Sequence, residues 1–451
     1  MLANNCFIQL KIWLLMKNLL SGIRKGIFIL IIPVLFYHEN VNAQSLAQND
    51  SIKITLSQAE SRFAGNNLQL LAARYNISAA RAAVLQARLW SNPNLSIGQN
   101  IYNKYTRRYF DITKTGNTDL QVQQLFLLAG KRDKQIKLAE INTQIAEDSF
   151  YDLLRALKYE LHTDFYNLYY LQRSLKFYDE TIPSVKKTVE STESLYSSRS
   201  ILLSEVVRLK SLLFSLESDR LNITNQISDA ENDMRVLLRD STTVNSYFIP
   251  VADAEAIDSL SLSKISLDDV LEEAVANRPD FKIASENVKY DEANVALQKS
   301  LAVPDLTLGV SYSRNGSYIP DYIALDASID IPIFNRNQGN IKVTENNLQS
   351  DMANREQARR QIQKEITSAY QKAEATDQLY KTFDKKFTVE YKQLVSGMIT
   401  NYENRNMTLI EFTDFFDSYR STMLQLIQLQ NDRINAFENL NFAAGMNLFN
   451  K

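Results

Sequence analysis

The sequence predicts a mainly α-helical protein with an internal duplication and a membrane β-barrel part. Glycine and proline are sparse, with 11 Gly and 8 Pro in 451 residues, and no Gly lies between Gly130 and Gly309. Such stretches favour long helices, because Gly and Pro interrupt helices most often. Two further observations complete this prediction: long segments carry apolar residues at every third or fourth position, and short segments alternate apolar and polar residues.

The N-terminus has the pattern of a secretory signal. An apolar run from Gly26 to Tyr37 follows Arg24 and Lys25 and precedes a small-residue cleavage pattern at residues 41–43. About a dozen apolar residues fall short of the ~20 that span a bilayer, so cleavage is favoured over a retained anchor. We expect residues 1–43 to be a signal peptide, with Met1 or Met16 as the start.

Charge and reactive side chains exclude several function classes. The chain has 50 basic and 52 acidic residues, a balance that predicts no nucleic-acid partner. Its one cysteine, Cys6, lies in the expected signal, and His162 is the single histidine of the mature chain. We therefore predict no catalytic, cofactor or metal site and no enzyme, and we interpret His162 as a packed or surface histidine.

The chain matches itself at a shift of 211 positions, which indicates duplication. Residues 54–59 align with 265–270, and the same shift superposes three further pairs: Asn66 on Asn277, Pro93 on Pro304 and Leu95 on Leu306. We expect a first repeat at 44–240, a linker at 241–263 and a second repeat at 264–451. Each repeat is predicted to open with one helix, capped by Thr55 or Ser266 and ending just before the proline.

Four segments of about ten residues after these prolines alternate with period two. The convincing pair is in the second repeat, and weaker equivalents occupy Asn94–Asn103 and Thr118–Phe126. The apolar face is predicted to contact lipid: Leu306, Leu308, Val310, Leu325, Ile329 and Ile331. The polar face is predicted to line a wet lumen: Asp326, Ser328 and Asp330. Aromatic residues typical of a membrane interface surround these strands: Trp90, Tyr102, Tyr105, Tyr109, Phe110, Tyr318 and Tyr322.

Four strands cannot close a membrane barrel, since the smallest barrels have about eight. Several chains must therefore pool their strands, and three chains would give twelve. Paired carboxylates at Asp326 and Asp330 could also indicate acid–base catalysis, but four residues along a strand separate them by ~13 Å. A water-lined barrel interior explains both aspartates more simply.

A long helical hairpin is predicted beyond each strand pair. From Lys131 to Tyr196 the chain would extend roughly 100 Å, with a kink at Pro183. The return arm carries a coiled-coil seam with one charged interruption: Val206, Leu209, Leu213, Leu216, Arg220, Ile223, Ile227, Ala230, Met234 and Leu237. The second repeat returns with the same spacing from Phe412 to Leu426.

These features resemble the TolC family of outer-membrane efflux proteins. The resemblance rests on residues 55–59 with Asn66-Asn67, on Asn92-Pro93-Asn94-Leu95 and on Val303-Pro304-Asp305-Leu306, and it covers nearly the whole mature chain. It implies a homotrimer with a shared twelve-stranded outer-membrane barrel and a hollow α-helical barrel crossing the periplasm. Residues 130–132 and 331–339 are similar to the heavy-metal-efflux, CzcC/CusC-like branch of that family.

The hairpin turns match each other at a shift of 206 and contain these residues: Tyr196, Arg199, Ser200, Leu203, Glu205, Tyr402, Arg405, Asn406, Leu409 and Glu411. In the family such turns meet a periplasmic adaptor protein. Alternatively they only turn the helices, with a Thr408–Glu411 capping box and a left-handed Asn406. The family usually has Gly where Arg199 and Arg405 stand.

The resemblance implies a passive duct subunit in the bacterial outer membrane, extending into the periplasm. Its expected partners are two further copies, outer-membrane lipid, an adaptor (membrane fusion) protein and an inner-membrane RND-type pump, and its cargo would be metal ions or small toxic compounds. Two alternatives remain open. The chain could be the exit duct of type I protein secretion, or a secreted coiled-coil scaffold or adhesin, which would leave the alternating segments unexplained.

Overall fold

The structure, a computed structural model, describes residues 51–239, 247–316, 318–383, 394 and 397–449. The expected signal peptide and residues 241–246 of the expected linker lie outside the described residues. The helices are α1 (Leu56–Asn66), α2 (Leu68–Ala87), α3 (Lys131–Ser197), α4 (Leu203–Leu238), α5 (Ala254–Ser259), α6 (Leu267–Asn277), α7 (Pro279–Leu301), α8 (Gln338–Thr382) and α9 (Leu409–Ala444), with helical residues also at 397–403. The mainly helical fold class is confirmed.

The strands form one larger sheet and two small pairs. They are β1 (Ser51–Thr55), β2 (Asn94–Gln99), β3 (Tyr102–Asn103), β4 (Arg108–Tyr109), β5 (Thr118–Phe126), β6 (Tyr247–Val251), β7 (Leu306–Ser313) and β8 (Tyr322–Ile329). The larger sheet is four-stranded, antiparallel and ordered β2-β5-β7-β8, so both repeats contribute a strand pair. Within the described chain, β2 and β8 each have one strand neighbour and form the edges of the sheet.

Each repeat begins with two helices, so the expectation of a single helix is wrong. Asn67 separates α1 from α2, and Arg278 separates α6 from α7, at the same 211-residue shift. Both adopt extended backbone, because the Asn67 side chain caps α2 and because Pro279 disfavours helix at the residue before it. Their side chains also donate to equivalent carbonyls, Asn67 to Leu237 at 3.0 Å and Arg278 to Ala443 at 2.9 Å.

Two return helices of equal length follow the hairpin tips. α4 and α9 each contain 36 residues, and every position of one maps to the other at a shift of 206. Both end in a left-handed residue, Arg239 or Gly445. The outgoing helix α3 has 67 residues and continues as helix through Pro183, which gives a length of about 100 Å. No helix among the described residues is long and apolar enough to cross a membrane.

The expected linker contains ordered elements that the sequence pattern did not indicate. β6 pairs in parallel with β1, which precedes the first helix of the chain, in the register Ser51↔Tyr247 to Thr55↔Val251. α5 and a 3₁₀ turn at Leu262–Lys264 follow β6. The buried Arg433 of α9 fixes this segment by donating to the carbonyls of Ile257 and Leu260 and to Asp377 of α8.

Two buried clusters hold the helices together. The larger one gathers the β1–β6 pair, α1, α6 and the middle of the long helices, with Leu161, Phe165, Phe248 and Phe437 among its most buried members. The second lies between the two hairpins toward their tips and comprises Phe177, Tyr178, Val185, Val189, Leu209, Leu212, Leu216, Phe412, Phe416, Tyr419 and Met423. The predicted seam of α4 therefore faces inward, although Leu212 is more buried than the predicted Leu213.

Candidate functional site

The larger sheet has two chemically different faces. One row that crosses all four strands consists of Leu95, Val122, Val310 and Leu325, and these side chains are between 50% and 80% exposed. The neighbouring row, on the opposite face, consists of Ser96, Gln121, Ser311 and Ala324. The weaker alternation of the first repeat thus continues the stronger alternation of the second. Among the residues that the structure describes, nothing covers this apolar row.

The polar face carries the predicted lumen residue Asp326. The Gln121 side chain, two strands away, donates a 3.3 Å hydrogen bond to its carboxylate. Gly309 belongs to β7, the strand between β5 and β8. A Cβ placed on Gly309 would approach the Gln123 side chain of β5 to 3.0 Å. Asp326 therefore sits on a polar and closely packed surface. Which face contacts lipid remains a prediction.

The last strand is shorter than predicted. β8 ends at Ile329, so Asp330 and Ile331 lie beyond the strand and period-two alternation does not assign their faces. The reason is that β7, the neighbour of β8, begins only at Leu306. The residue before it, Asp305, accepts a 2.6 Å hydrogen bond from the buried ammonium group of Lys131 instead of extending the strand.

That ion pair joins the sheet to the helices. Lys131, from the motif at residues 130–132, contacts Asp305 and also donates to the carbonyl of Val303 at 2.6 Å. The backbone N–H of Leu128 donates to the same aspartate at 2.9 Å. Arg132 packs over the ring of Trp90. Val303 and Asp305 of the family motif and Lys131 of the branch motif therefore form the joint at which the two strand pairs meet the helices.

Both hairpin tips turn with the same backbone geometry. Arg199 and Arg405 are left-handed, with φ of 56° and 60°, and the next N–H, of Ser200 or Asn406, donates over 2.8 Å to the carbonyl five residues earlier. The expectation of a left-handed Asn406 is therefore wrong. In this type of helix end, the left-handed residue comes one position before the residue whose N–H bonds the carbonyl five residues earlier. Arg405 is therefore the left-handed residue, and Asn406 supplies the N–H. Arginine replaces the usual glycine at a cost of roughly 1–2 kcal/mol.

The capping box expected at the second tip is present. Thr408 Oγ1 accepts from the Glu411 N–H at 3.3 Å, and the Glu411 carboxylate accepts from the Thr408 N–H at 2.9 Å. These bonds lower the pKa of Glu411. The equivalent position of the first tip is Leu202, which has no side-chain cap. Glu411 thus has a local structural role that its counterpart Glu205 lacks.

A groove of about 590 Å³ runs between the two tips. Its walls include Thr188 and Leu195 of the first hairpin and Tyr402 and Ile410 of the second. The Tyr402 ring stacks on Phe412, whereas Leu202, Leu203 and Ile410 are 54% to 69% exposed. The tips therefore present apolar side chains beside charged ones, a composition typical of protein-binding surfaces.

His162 is a packed histidine, as predicted, but it has charged neighbours that the sequence did not reveal. It is 5% exposed, and its two ring nitrogens lie 2.9 Å from Glu438 and 2.7 Å from Glu60. Lys158 also contacts Glu60, at 2.9 Å. Burial alone lowers the pKa of His162, but the bonds and charges of the two glutamates outweigh it and raise the pKa to about 9. The charged imidazole thus links α1, α3 and α9.

We expect this link to make stability depend on pH. The pKa of His162 rises from its ordinary 6.5 to about 9, so its contribution is complete below pH 6.5 and is lost as pH rises through 9. The shift corresponds to about 3 kcal/mol. Thermal unfolding of the solubilised protein should show this decline, and His162→Gln should remove it. Parallel pH profiles for the two proteins would contradict the assignment.

The sequence analysis predicted that the chain has no metal or cofactor site. Across the residues that the structure describes, no group of three or more His, Cys, Asp or Glu side chains is positioned to hold a metal ion. The main features that sequence reasoning missed are the His162 link and the β1–β6 pair. No local signal marks the link, because 102 and 276 residues separate His162 from its two glutamates.

Comparison with known proteins identifies the class. The family described as outer membrane efflux protein matches residues 60–238 and 270–446, most of the chain. The chain belongs to this family, whose members are outer-membrane channels and not enzymes.

Individual relatives agree with this assignment. The cobalt-zinc-cadmium resistance protein CzcC of Cupriavidus metallidurans is 22% identical over 289 residues, which are 64% of this chain and 65% of CzcC, so the match spans less than two thirds of that relative. The crystal structure of CusC is similar with a TM-score of 0.70 at 19% identity, covering 89% of this chain and 96% of CusC. VceC of Vibrio cholerae gives a TM-score of 0.68 at 18% identity, covering 87% and 96%. The predicted resemblance to the CzcC/CusC-like branch is confirmed.

Proposed function

We propose that three copies of this chain form a passive outer-membrane efflux duct. The observation that carries the proposal is the four-stranded sheet, which has one continuous apolar face and two edge strands. Lipid offers no hydrogen-bond partners to an open edge, so β2 of one copy would pair with β8 of the next. Three sheets would give a twelve-stranded barrel, with Leu325 and Val310 toward lipid and Asp326 and Ser328 toward the lumen.

The helices would continue this barrel into the periplasm. α4 carries a second apolar row, at a spacing of seven, on the side away from its buried seam: Val207, Phe214 and Leu221 are 52%, 74% and 61% exposed. A heptad row of this kind favours packing against another helix. In the proposed trimer the neighbouring copy covers it, and helices from all three copies enclose the duct.

The chain organisation fits this assembly. We propose residues 1–43 as the export signal, 44–240 and 264–451 as the two repeats, and 241–263 as their connector. The duplication explains why the four-stranded sheet and the two helical hairpins form a pseudo-symmetric unit. Three such units around an axis would present six similar hairpin tips to the periplasm.

The tips are the proposed contact with a periplasmic adaptor, which would connect the duct to an inner-membrane RND-type pump. Support comes from the matching turns at Arg199 and Arg405, from the exposed apolar residues beside them, and from the groove between the two tips. The subunit itself would supply no energy. Its role is conduction, and we assign no catalytic residue to it.

We propose divalent metal ions as the cargo, since the relative CzcC is named for cobalt, zinc and cadmium resistance. Deleting the gene should sensitise the cells to these three ions, and restoring it should reverse the effect. A panel of organic toxic compounds and a secreted-protein profile from the same strains provide the comparison. Unchanged metal tolerance together with loss of one exported polypeptide would instead assign the chain to type I protein secretion.

A further inference from the structure

The two loops at the end of the sheet away from the helices form one structural unit. Residues 100–117 connect β2 to β5, and residues 314–316 and 318–321 lie between β7 and β8, whereas the helices adjoin the opposite ends of these strands. We call these segments the cap loops. Arg314 Nη1 donates to the carbonyl of Ile112 at 2.8 Å, and the Asn315 side chain donates to the carbonyls of Lys114 and Gly116. The cap loops are therefore tied together.

A buried carboxylate organises the longer cap loop. Asp111 is 3% exposed and accepts hydrogen bonds from Asn103 at 3.1 Å and from the hydroxyl groups of Thr106, Thr113 and Thr115 at 2.5 to 3.2 Å. An ideal Cβ on Gly116 would lie 1.5 Å from the carbonyl oxygen of Asp111, so the chain crosses itself too closely for a side chain there. The loop is thus a folded scaffold.

This scaffold presents unpaired positive charge. Lys104, Arg107, Arg108 and Lys114 are exposed, and none of them forms an ion pair with any residue that the structure describes. The cap-loop carboxylates are engaged elsewhere: Asp111 by the bonds above, and Asp321 by a 2.6 Å hydrogen bond from the Tyr312 hydroxyl. The whole chain has a net charge of −2, so this positive surface is local and does not reflect composition.

Exposed aromatic rings lie among these cations. Tyr105 and Tyr318 are almost fully exposed, and Tyr109 and Phe110 are more than 60% exposed. Lysine or arginine combined with tyrosine at the rim of a sheet is typical of surfaces that contact the interfacial layer of a bilayer. There the rings lie at headgroup level and the cations meet phosphate.

We propose that the cap loops bind the phosphate groups of anionic lipid headgroups in the outer leaflet. The proposal rests on the proposed function, because it requires the larger sheet to be a membrane barrel whose helices lie on the periplasmic side. The four cations would contact the phosphates while the aromatic rings contact the glycerol and upper acyl region. The folded scaffold fixes the backbone that carries the cations, so lipid binding costs little conformational entropy of the loop backbone.

The test uses native mass spectrometry of the mature protein in detergent, titrated with phosphatidylglycerol or phosphatidylcholine. We expect wild-type protein to favour phosphatidylglycerol by about tenfold or more at low salt, and the preference to fall at high salt. Changing Lys104, Arg107, Arg108 and Lys114 to Gln should reduce it to near unity. A matched variant with Lys186, Lys187, Arg359 and Lys364 changed to Gln removes the same charge from exposed helical positions and should keep the preference.

The outcomes separate this inference from the trimer proposal. Equal loss of preference in both variants, or no loss in either, overturns lipid binding by the cap loops. Dissociation of trimers in the cap-loop variant also overturns it and assigns the surface to contacts between copies. If the wild-type protein is only a monomer, the trimer proposal fails. The lipid comparison still stands in that case, because both cap loops belong to one chain.

Discussion

Leu325→Arg is expected to abolish assembly of the membrane-inserted protein. Leu325 is 80% exposed and ends a row of four apolar side chains across the larger sheet. An arginine facing lipid near the bilayer midplane costs about 2–4 kcal/mol, and the proposed trimer would bear that cost in each of its three copies. Heat-modifiable migration of outer-membrane extracts should therefore show wild-type oligomers and none for the variant.

The matched control is the adjacent residue. Ala324→Arg introduces the same charge at the same depth on the opposite face, in the row with Ser311 and Gln121. A water-lined lumen tolerates arginine, so this variant should assemble almost normally. Loss of oligomers in both variants, or in Ala324→Arg alone, would show that the apolar face does not contact lipid.

The double change of Glu205 and Glu411 to Lys is expected to abolish efflux while trimers remain folded. Both glutamates lie at the ends of long hairpins and contribute little to the two buried clusters. Reversed charges at a docking surface oppose the partner, and like charges facing each other cost several kcal/mol. Metal tolerance of complemented cells should fall to that of the deletion strain, and chemical crosslinks to the adaptor should disappear.

A control is needed because Glu411 also belongs to a capping box. Thr408→Ala removes the cap and costs about 1 kcal/mol, but it leaves both carboxylates in place. If docking depends on charge, Thr408→Ala should preserve metal tolerance and crosslinking. Equal loss of tolerance in Thr408→Ala would mean that these residues only shape the turn. Normal efflux by the charge-reversed protein would likewise reject the docking role.

Local periodicity predicted the parts of this fold that depend on local chemistry. The alternation around Leu325 and Asp326 specified the two faces of β8, and the weak signals near Leu95 and Leu120 belong to the same sheet. Internal comparison indicated the duplication, but it did not predict the helix breaks: the structure places them at Asn67 and Arg278, 211 residues apart, whereas the expectation was one continuous helix in each repeat.

Contacts between residues that are distant in the chain could not be predicted from the sequence. β1 and β6 are five-residue strands that become stable only by pairing with each other across almost 200 residues. The end of β8 at Ile329 depends on Asp305 binding Lys131 rather than continuing β7. The left-handed Arg199 and Arg405 contradict residue preference, since a helix end of this type favours Gly. In the first two cases tertiary contacts override the local pattern, whereas at the tips the bonds that close the turns are local.

The central claim is that three chains share one barrel, and imaging the particle tests it most directly. Single-particle electron microscopy of the mature protein in lipid nanodiscs should show three copies around one axis, with β2 of each copy paired to β8 of the next. Twelve strands would then surround a continuous lumen that extends into the helical part. A particle with a different number of chains, or one whose larger sheet lies outside the bilayer, would contradict the proposed duct.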